Sequence, residues 1–236
     1  MSLNTLTKEL KSLGNKGDVE ILQRFFKTAP GEYGEGDVFI GIRVPVQRKV
    51  AQKHVNLAFN DIQKLLNNKI HEFRLVGLLI LINKYEDADN DREKERIFNF
   101  YLKNTKAINN WDLVDLSADK IVGDFLFHNP KKKNILDELV GSNNLWERRI
   151  AMISTYAFIK KGKHKEAVSL AKRLLGDEHD LMHKAVGWML REMGKRIDEK
   201  LLINFLDNYS HKMARTTLRY SIEKLPEAKR QYYLKK

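Results

Sequence analysis

The chain has 236 residues, 42% of them apolar, and carries 43 Lys and Arg against 31 Asp and Glu, a formal net charge of +12. That length can bury a sizeable core, read here as a single domain over residues 1–236, and the charge points to an anionic polymer, nucleic acid foremost, as partner. The absence of cysteine excludes a disulfide framework and a thiolate metal site, and no apolar run nears the roughly 18 residues of a membrane span, so a soluble, cytoplasmic, nucleoid-associated monomer is expected.

In chain order, "MSLNTLTKEL" lacks the apolar core of a signal peptide. The stretch "APGEYGEGD" at 29–37 is Gly-rich like a phosphate loop, but it has no Lys-Ser/Thr and no preceding strand, and reads as an inter-helix loop. Beyond it, windows such as "FRLVGLLILINKYE" and "IAMISTYAFIKKG" carry apolar residues at helical spacing, and regular β-alternation is hard to find. Breaks are short and local: "NNKIHE", "NNW", "FHNP", "GSNNLW" and "GDEHD". Five segments align as a weak repeat: "HEFRLVGLLILINKYED", "NWDLVDLSADKIVGDFL", "LWERRIAMISTYAFIKKGK", "LMHKAVGWMLREMGKR" and "MARTTLRYSIEKLP". Each opens on a polar turn and continues as an apolar helix, and their starts recur at roughly 32 to 38 residues, the period of stacked helix pairs. An all-α solenoid of HEAT-like repeats with a curved, basic concave groove follows, and such a groove can hold a duplex.

In the second repeat, Asn110 suits an N-cap and Asp112 a first-turn partner of the helix dipole. Asp115 lies past the first turn, between Val114 and Leu116, on the face of Trp111. A carboxylate there repels phosphate, which is reasonable where it stabilises a cation that develops during a reaction. The third repeat carries Arg148 and Arg149 behind Trp146. In the fourth, Lys184, Trp188, Arg191 and Lys195 fall on one helical face, three cations around an indole; the plainer reading is a solvated face with the tryptophan tucked inward. His179 and His183 have the spacing of a zinc pair, but no third ligand follows at a diagnostic spacing, so no metal site is expected.

Taken together, "GDVFIGIRVPVQRKVA", "NNWDLVDLSADKIVGDFL", "LWERRIAMIS", "HDLMHKAVGWMLREMGKR" and "MARTTLRYSIEKLP" resemble the AlkD-like DNA alkylation repair family, DNA glycosylases built of HEAT-like repeats. The resemblance implies that Trp111 and Trp188 are pocket tryptophans, that Asp115 is the catalytic aspartate, and that Arg149 is the arginine beside it. It also brings Arg43, within the first of these segments, into the set of DNA-binding cations. The family often has a tryptophan where this chain has Asn110. The implied reaction is hydrolysis of the N-glycosidic bond of cationic N3- or N7-alkylpurines in double-stranded DNA, without a cofactor. Two other readings of the residues remain open: a non-catalytic nucleic-acid-binding solenoid in which Asp115 is incidental, and a protein-interaction module taking an acidic partner.

Overall fold

The computed structural model describes residues 2–235, and among these there is no β-strand, only an isolated parallel bridge between Val38 and Ile70. The chain is all-α, as the sequence predicts. It divides into two compact units, Met1–Ser117 and Ala118–Lys236. No helix among the described residues is long and apolar enough to cross a membrane.

The first unit holds α1 (Leu3–Ser12), α2 (Lys16–Phe25), α3 (Val44–Lys53), α4 (Phe59–Leu66), α5 (His71–Glu86), α6 (Asp91–Lys103) and nearly all of α7 (Trp111–Ala118). Helix α5 is enclosed because α3, α4 and α6 cover it, every residue from His71 to Ile82 is buried, and from Leu75 to Ile82 the run is wholly apolar. The long connection between α2 and α3 is pinned to this helix. Glu72, 1% exposed, accepts the backbone N–H groups of Ile40, Gly41 and Ile42 on Oε1 at 3.0, 2.8 and 3.2 Å. Gly41 has φ +83°, and a Cβ there would lie 2.0 Å from the Asn15 carbonyl oxygen, so only glycine lets this strap close on the α1–α2 turn. At the other end of the unit, Tyr101 and Ser117 share a buried hydroxyl hydrogen bond of 2.9 Å that ties α6 to α7.

The second unit continues through a π-helical segment (Asp119–Gly123) into α8 (Asp124–His128), then α9 (Asn134–Val140), α10 (Leu145–Lys160), α11 (Lys165–Arg173), α12 (Asp180–Arg196), α13 (Glu199–Tyr209), α14 (Arg215–Ile222) and α15 (Glu227–Lys235). Helix α10 is this unit's counterpart of α5, buried along nearly its whole length and packed on α8, α9, α11, α12 and the π-helical segment. Helix α12 lies against α10, α11, α13 and α14. It meets α14 so closely that a Cβ on Gly187 would fall 2.5 Å from the Tyr220 Cβ and 2.6 Å from the Thr217 carbonyl.

Helices α5, α7, α10, α12 and α14 correspond to the five repeat segments, and each follows another helix across a turn. They begin at residues 71, 111, 145, 180 and 215, so successive starts are 40, 34, 35 and 35 residues apart. The first interval exceeds the expected range because a 3-10 turn, Thr105–Ala107, is inserted between α6 and α7.

Candidate functional site

In the first unit the site is built at the start of α7. Asn110 is fully buried; its Oδ1 accepts the Trp111 N–H at 2.8 Å, and its carbonyl takes the Val114 N–H at 3.2 Å. It stands at the N-cap, as expected, with the added task of orienting the first peptide of the helix. The Trp111 indole is half-buried, stacked on Phe26 at 5.2 Å and 24°, with Phe25 edge-on at 5.6 Å. Its Nε1–H donates to the Tyr33 hydroxyl at 3.2 Å. Asp115 is half-buried one turn along, and with Trp111 and Leu116 it lines a cavity of about 660 Å³ whose other walls include Ile21, Phe25 and Phe39. The cavity lining is largely aromatic and apolar, with Asp18, Arg43, Arg48, His71, Glu72 and Asp112 also on it, and a charge acts more strongly at such a surface than in water.

Two arginines stand at the margin of this cavity. Arg43 is 73% exposed and forms an ion pair with Asp18 at 2.8 Å, which holds the Asp18 carboxyl below the usual carboxylate range. Arg48, which sequence reasoning did not single out, is exposed and has no ion pair among the described residues.

Beneath α7 lies a buried polar chain. Asp112 Oδ2 is 2.8 Å from His71 Nε2, His71 Nδ1 is 3.1 Å from Asp37 Oδ2, and Asp37 Oδ1 receives Arg74 Nη2 at 2.6 Å. Burial pushes Asp37 up, but the His71 hydrogen bond and the Arg74 and His71 charges outweigh it and hold the carboxyl below its ordinary range. Burial likewise pushes His71 down, and the Asp112 charge and hydrogen bond, with that of Asp37, overcome it and raise the imidazole to about 9. Asp112 therefore has a specific partner besides the helix dipole expected for it.

In the second unit, α12 turns Leu181, Met182, Ala185, Val186, Met189, Leu190 and Met193 inward, and Lys184, Trp188, Arg191 and Lys195 lie on its less buried side. Trp188 is half-buried, its ring tilted against Tyr156 at 6.1 Å. Lys184 pairs with Asp180 at 2.7 Å and Arg191 with Glu223, whereas Lys195 is exposed with no ion pair among the described residues.

The two adjacent arginines of α10 are both engaged within the second unit. Arg148 is committed to Asp177 at 2.7 Å through Nε and to the Ser142 and Asn143 carbonyls, both at 3.1 Å, through Nη1. Arg149 is only 4% exposed and donates to the Leu181 carbonyl. Both guanidiniums satisfy backbone oxygens at the turns around α10 and α12. The histidine pair is also engaged: His179 Nδ1 accepts the Leu181 N–H at 3.1 Å, and His183 Nε2 donates to the Asp177 carbonyl at 2.5 Å.

This architecture defines a helical-repeat protein, and three solved structures share it. One from Enterococcus faecalis, described as a predicted DNA alkylation repair enzyme, matches with a TM-score of 0.70 at 15% identity, covering 91% of this chain and 97% of that one. AlkD2 from Streptococcus mutans matches at 0.55 and 17% identity, with coverage of 90% and 99%. The smu.31 protein of Streptococcus mutans UA159 matches at 0.53 and 19%, with coverage of 94% and 96%. At these identities the likeness shows the fold. The family model described as DNA alkylation repair enzyme matches residues 6–225, nearly the whole chain, and the chain belongs to that family. No curated protein matches it.

Proposed function

We propose that this chain is a monofunctional DNA glycosylase that hydrolyses the N-glycosidic bond of purines made cationic by N3- or N7-alkylation in duplex DNA. The observation that carries the reading is the half-buried Asp115, one helical turn from the Trp111 indole, on a cavity lined largely by apolar and aromatic side chains. A cationic alkylpurine is already a good leaving group, since departure neutralises it. Little acid catalysis is needed, and a single carboxylate suffices. As the bond breaks, positive charge develops on the deoxyribose, and Asp115 stabilises that oxocarbenium-like transition state and orients the attacking water. The face of Trp111 packs on the sugar and favours its cationic form, a cation-π effect of about 0.5 to 2 kcal/mol.

In the second unit, Trp188 is proposed as an aromatic contact to the DNA, and Lys184, Arg191 and Lys195 on the same face as contacts to the phosphate backbone. Arg43 is proposed as a backbone contact of the first unit. The experiment that tests the reading is release of N7-methylguanine and N3-methyladenine from duplex DNA by the purified protein without added metal. The reading predicts release of both free bases, leaving abasic DNA; intact methylated DNA after prolonged incubation with excess protein would refute it.

A further inference from the structure

We infer that His71 is a positioning residue for the proposed reaction: held between the carboxylates of Asp37 and Asp112, it fixes the first turn of α7 and thereby the placement of Trp111 and Asp115. The inference rests on the reading of Trp111 and Asp115 given above, and deepens it.

The hydrogen bonds close into a circuit. From His71, one arm runs through Nε2 to Asp112 at 2.8 Å. The other runs through Nδ1 to Asp37 at 3.1 Å, from Asp37 to Asn110 Nδ2 at 3.2 Å, and from Asn110 Oδ1 to the Trp111 N–H at 2.8 Å. The two arms meet at consecutive residues of α7, the tryptophan and the aspartate after it. An ionised carboxylate can only accept hydrogen bonds, so both ring nitrogens of His71 must carry hydrogen for both arms to hold. The charges balance in the interior: Arg74 and His71 against Asp37 and Asp112, with His71, Arg74 and Asp37 1%, 5% and 7% exposed. The remaining buried carboxylate nearby, Glu72, is satisfied by the backbone N–H groups of Ile40, Gly41 and Ile42. Across the cavity that His71 and Asp112 also line stand Asp18, Arg43, Arg48 and Asp115.

Aromatic contacts make a second connection. The imidazole stacks on Phe39 at 4.6 Å and lies against Phe26 at 5.0 Å, and Phe26 in turn stacks on Trp111 at 5.2 Å. A cation against two phenyl rings, themselves stacked on each other at 5.1 Å, is favoured by their electron-rich faces. Loss of the His71 proton therefore releases one arm of the circuit and weakens the aromatic stack under Trp111. Asp115, one turn further along the same helix, moves with that turn.

The test combines two readouts. Asp112→Asn removes one of the two carboxylates, so the imidazole titration falls from near 9 toward its ordinary value of about 6.5. Single-turnover excision of N7-methylguanine by the parent should be level between about pH 6 and 8, whereas that of Asp112→Asn should decline several-fold across the same range as His71 loses its proton. A merely structural role would lower excision by one constant factor at every pH, and that result would overturn the inference. The second readout needs neither excision nor the variant. In protein labelled with 5-fluorotryptophan, the Trp111 fluorine resonance, assigned by its loss in Trp111→Phe, should titrate with a midpoint near 9. A resonance indifferent to pH through that midpoint would overturn the inference even if excision were observed. If the parent excises nothing, the proposed function fails while the fluorine titration still decides the role of His71.

Discussion

Replacing Glu72 by Gln perturbs the first unit at the point where its long α2–α3 connection is anchored. The carboxylate is 1% exposed and receives the N–H groups of Ile40, Gly41 and Ile42 on one oxygen, with Ile40 also 3.2 Å from the other. An amide keeps an acceptor for the three donors but makes each bond neutral instead of charge-assisted, a loss of about 1 kcal/mol apiece. It also sets an NH₂ group against the Ile40 N–H, donor against donor, which costs about 1 kcal/mol more. The variant should therefore be destabilised by about 4 kcal/mol. In urea unfolding followed by far-ultraviolet circular dichroism, the midpoint should fall by on the order of 1 M or more, using a slope of roughly 3 kcal/mol per molar. Because Phe39 in this connection stacks on His71, excision should fall with stability. A midpoint within about 0.3 M of the parent would refute the claim that this charge anchors the connection.

Stability should depend on pH through His71, whose imidazole is raised from 6.5 to about 9 because Asp112 and Asp37 overcome the opposing effect of burial. Its stabilisation is fully present below pH 6.5 and lost as pH rises through 9, an effect of about 3 kcal/mol that urea titrations across that window will measure; stability that stays level or rises would contradict it. Gly187→Ala should destabilise by about 1 to 3 kcal/mol, since the added Cβ overlaps Tyr220 and Thr217, and thermal unfolding checks this. Arg148→Ala should lower stability by about 2 kcal/mol because Asp177 and the Ser142 and Asn143 carbonyls lose their donor. Lys195→Ala should leave stability unchanged, weaken binding to damaged and undamaged duplex alike, and reduce the salt slope by about 1; paired urea and salt-dependent binding measurements separate the two roles.

The parts of this fold legible in the sequence were those with local causes. A polar turn before each apolar run marks the start of α5, α7, α10, α12 and α14, and the 3.6-residue period places Lys184, Trp188, Arg191 and Lys195 on one side of α12. Asp115 stood out because it interrupts an apolar helix beyond the reach of an N-terminal dipole. What was not legible depends on partners far apart in the chain. Asp37 and Asp112 lie 34 and 41 residues from His71, and no periodicity connects them. His71 therefore reads only as the polar start of a repeat, and Asp112 only as a first-turn acid. Arg148 and Arg149 look like free cations until Asp177, 29 residues from Arg148, and the carbonyl of Leu181, 32 residues from Arg149, are folded against them. Tyr33, in a stretch read as a plain loop, supplies the acceptor for the Trp111 indole.

The central claim is that the charge of Asp115 stabilises a transition state, and one comparison tests it most directly: single-turnover release of N7-methylguanine by the parent and by Asp115→Asn, with affinity measured on the same duplex. The substitution keeps shape and removes an anion needed only as the sugar becomes cationic. Excision should fall by on the order of 10²-fold or more, while affinity for the duplex stays level or rises as repulsion of phosphate is relieved. An Asn variant that excises at the parent rate would contradict the account.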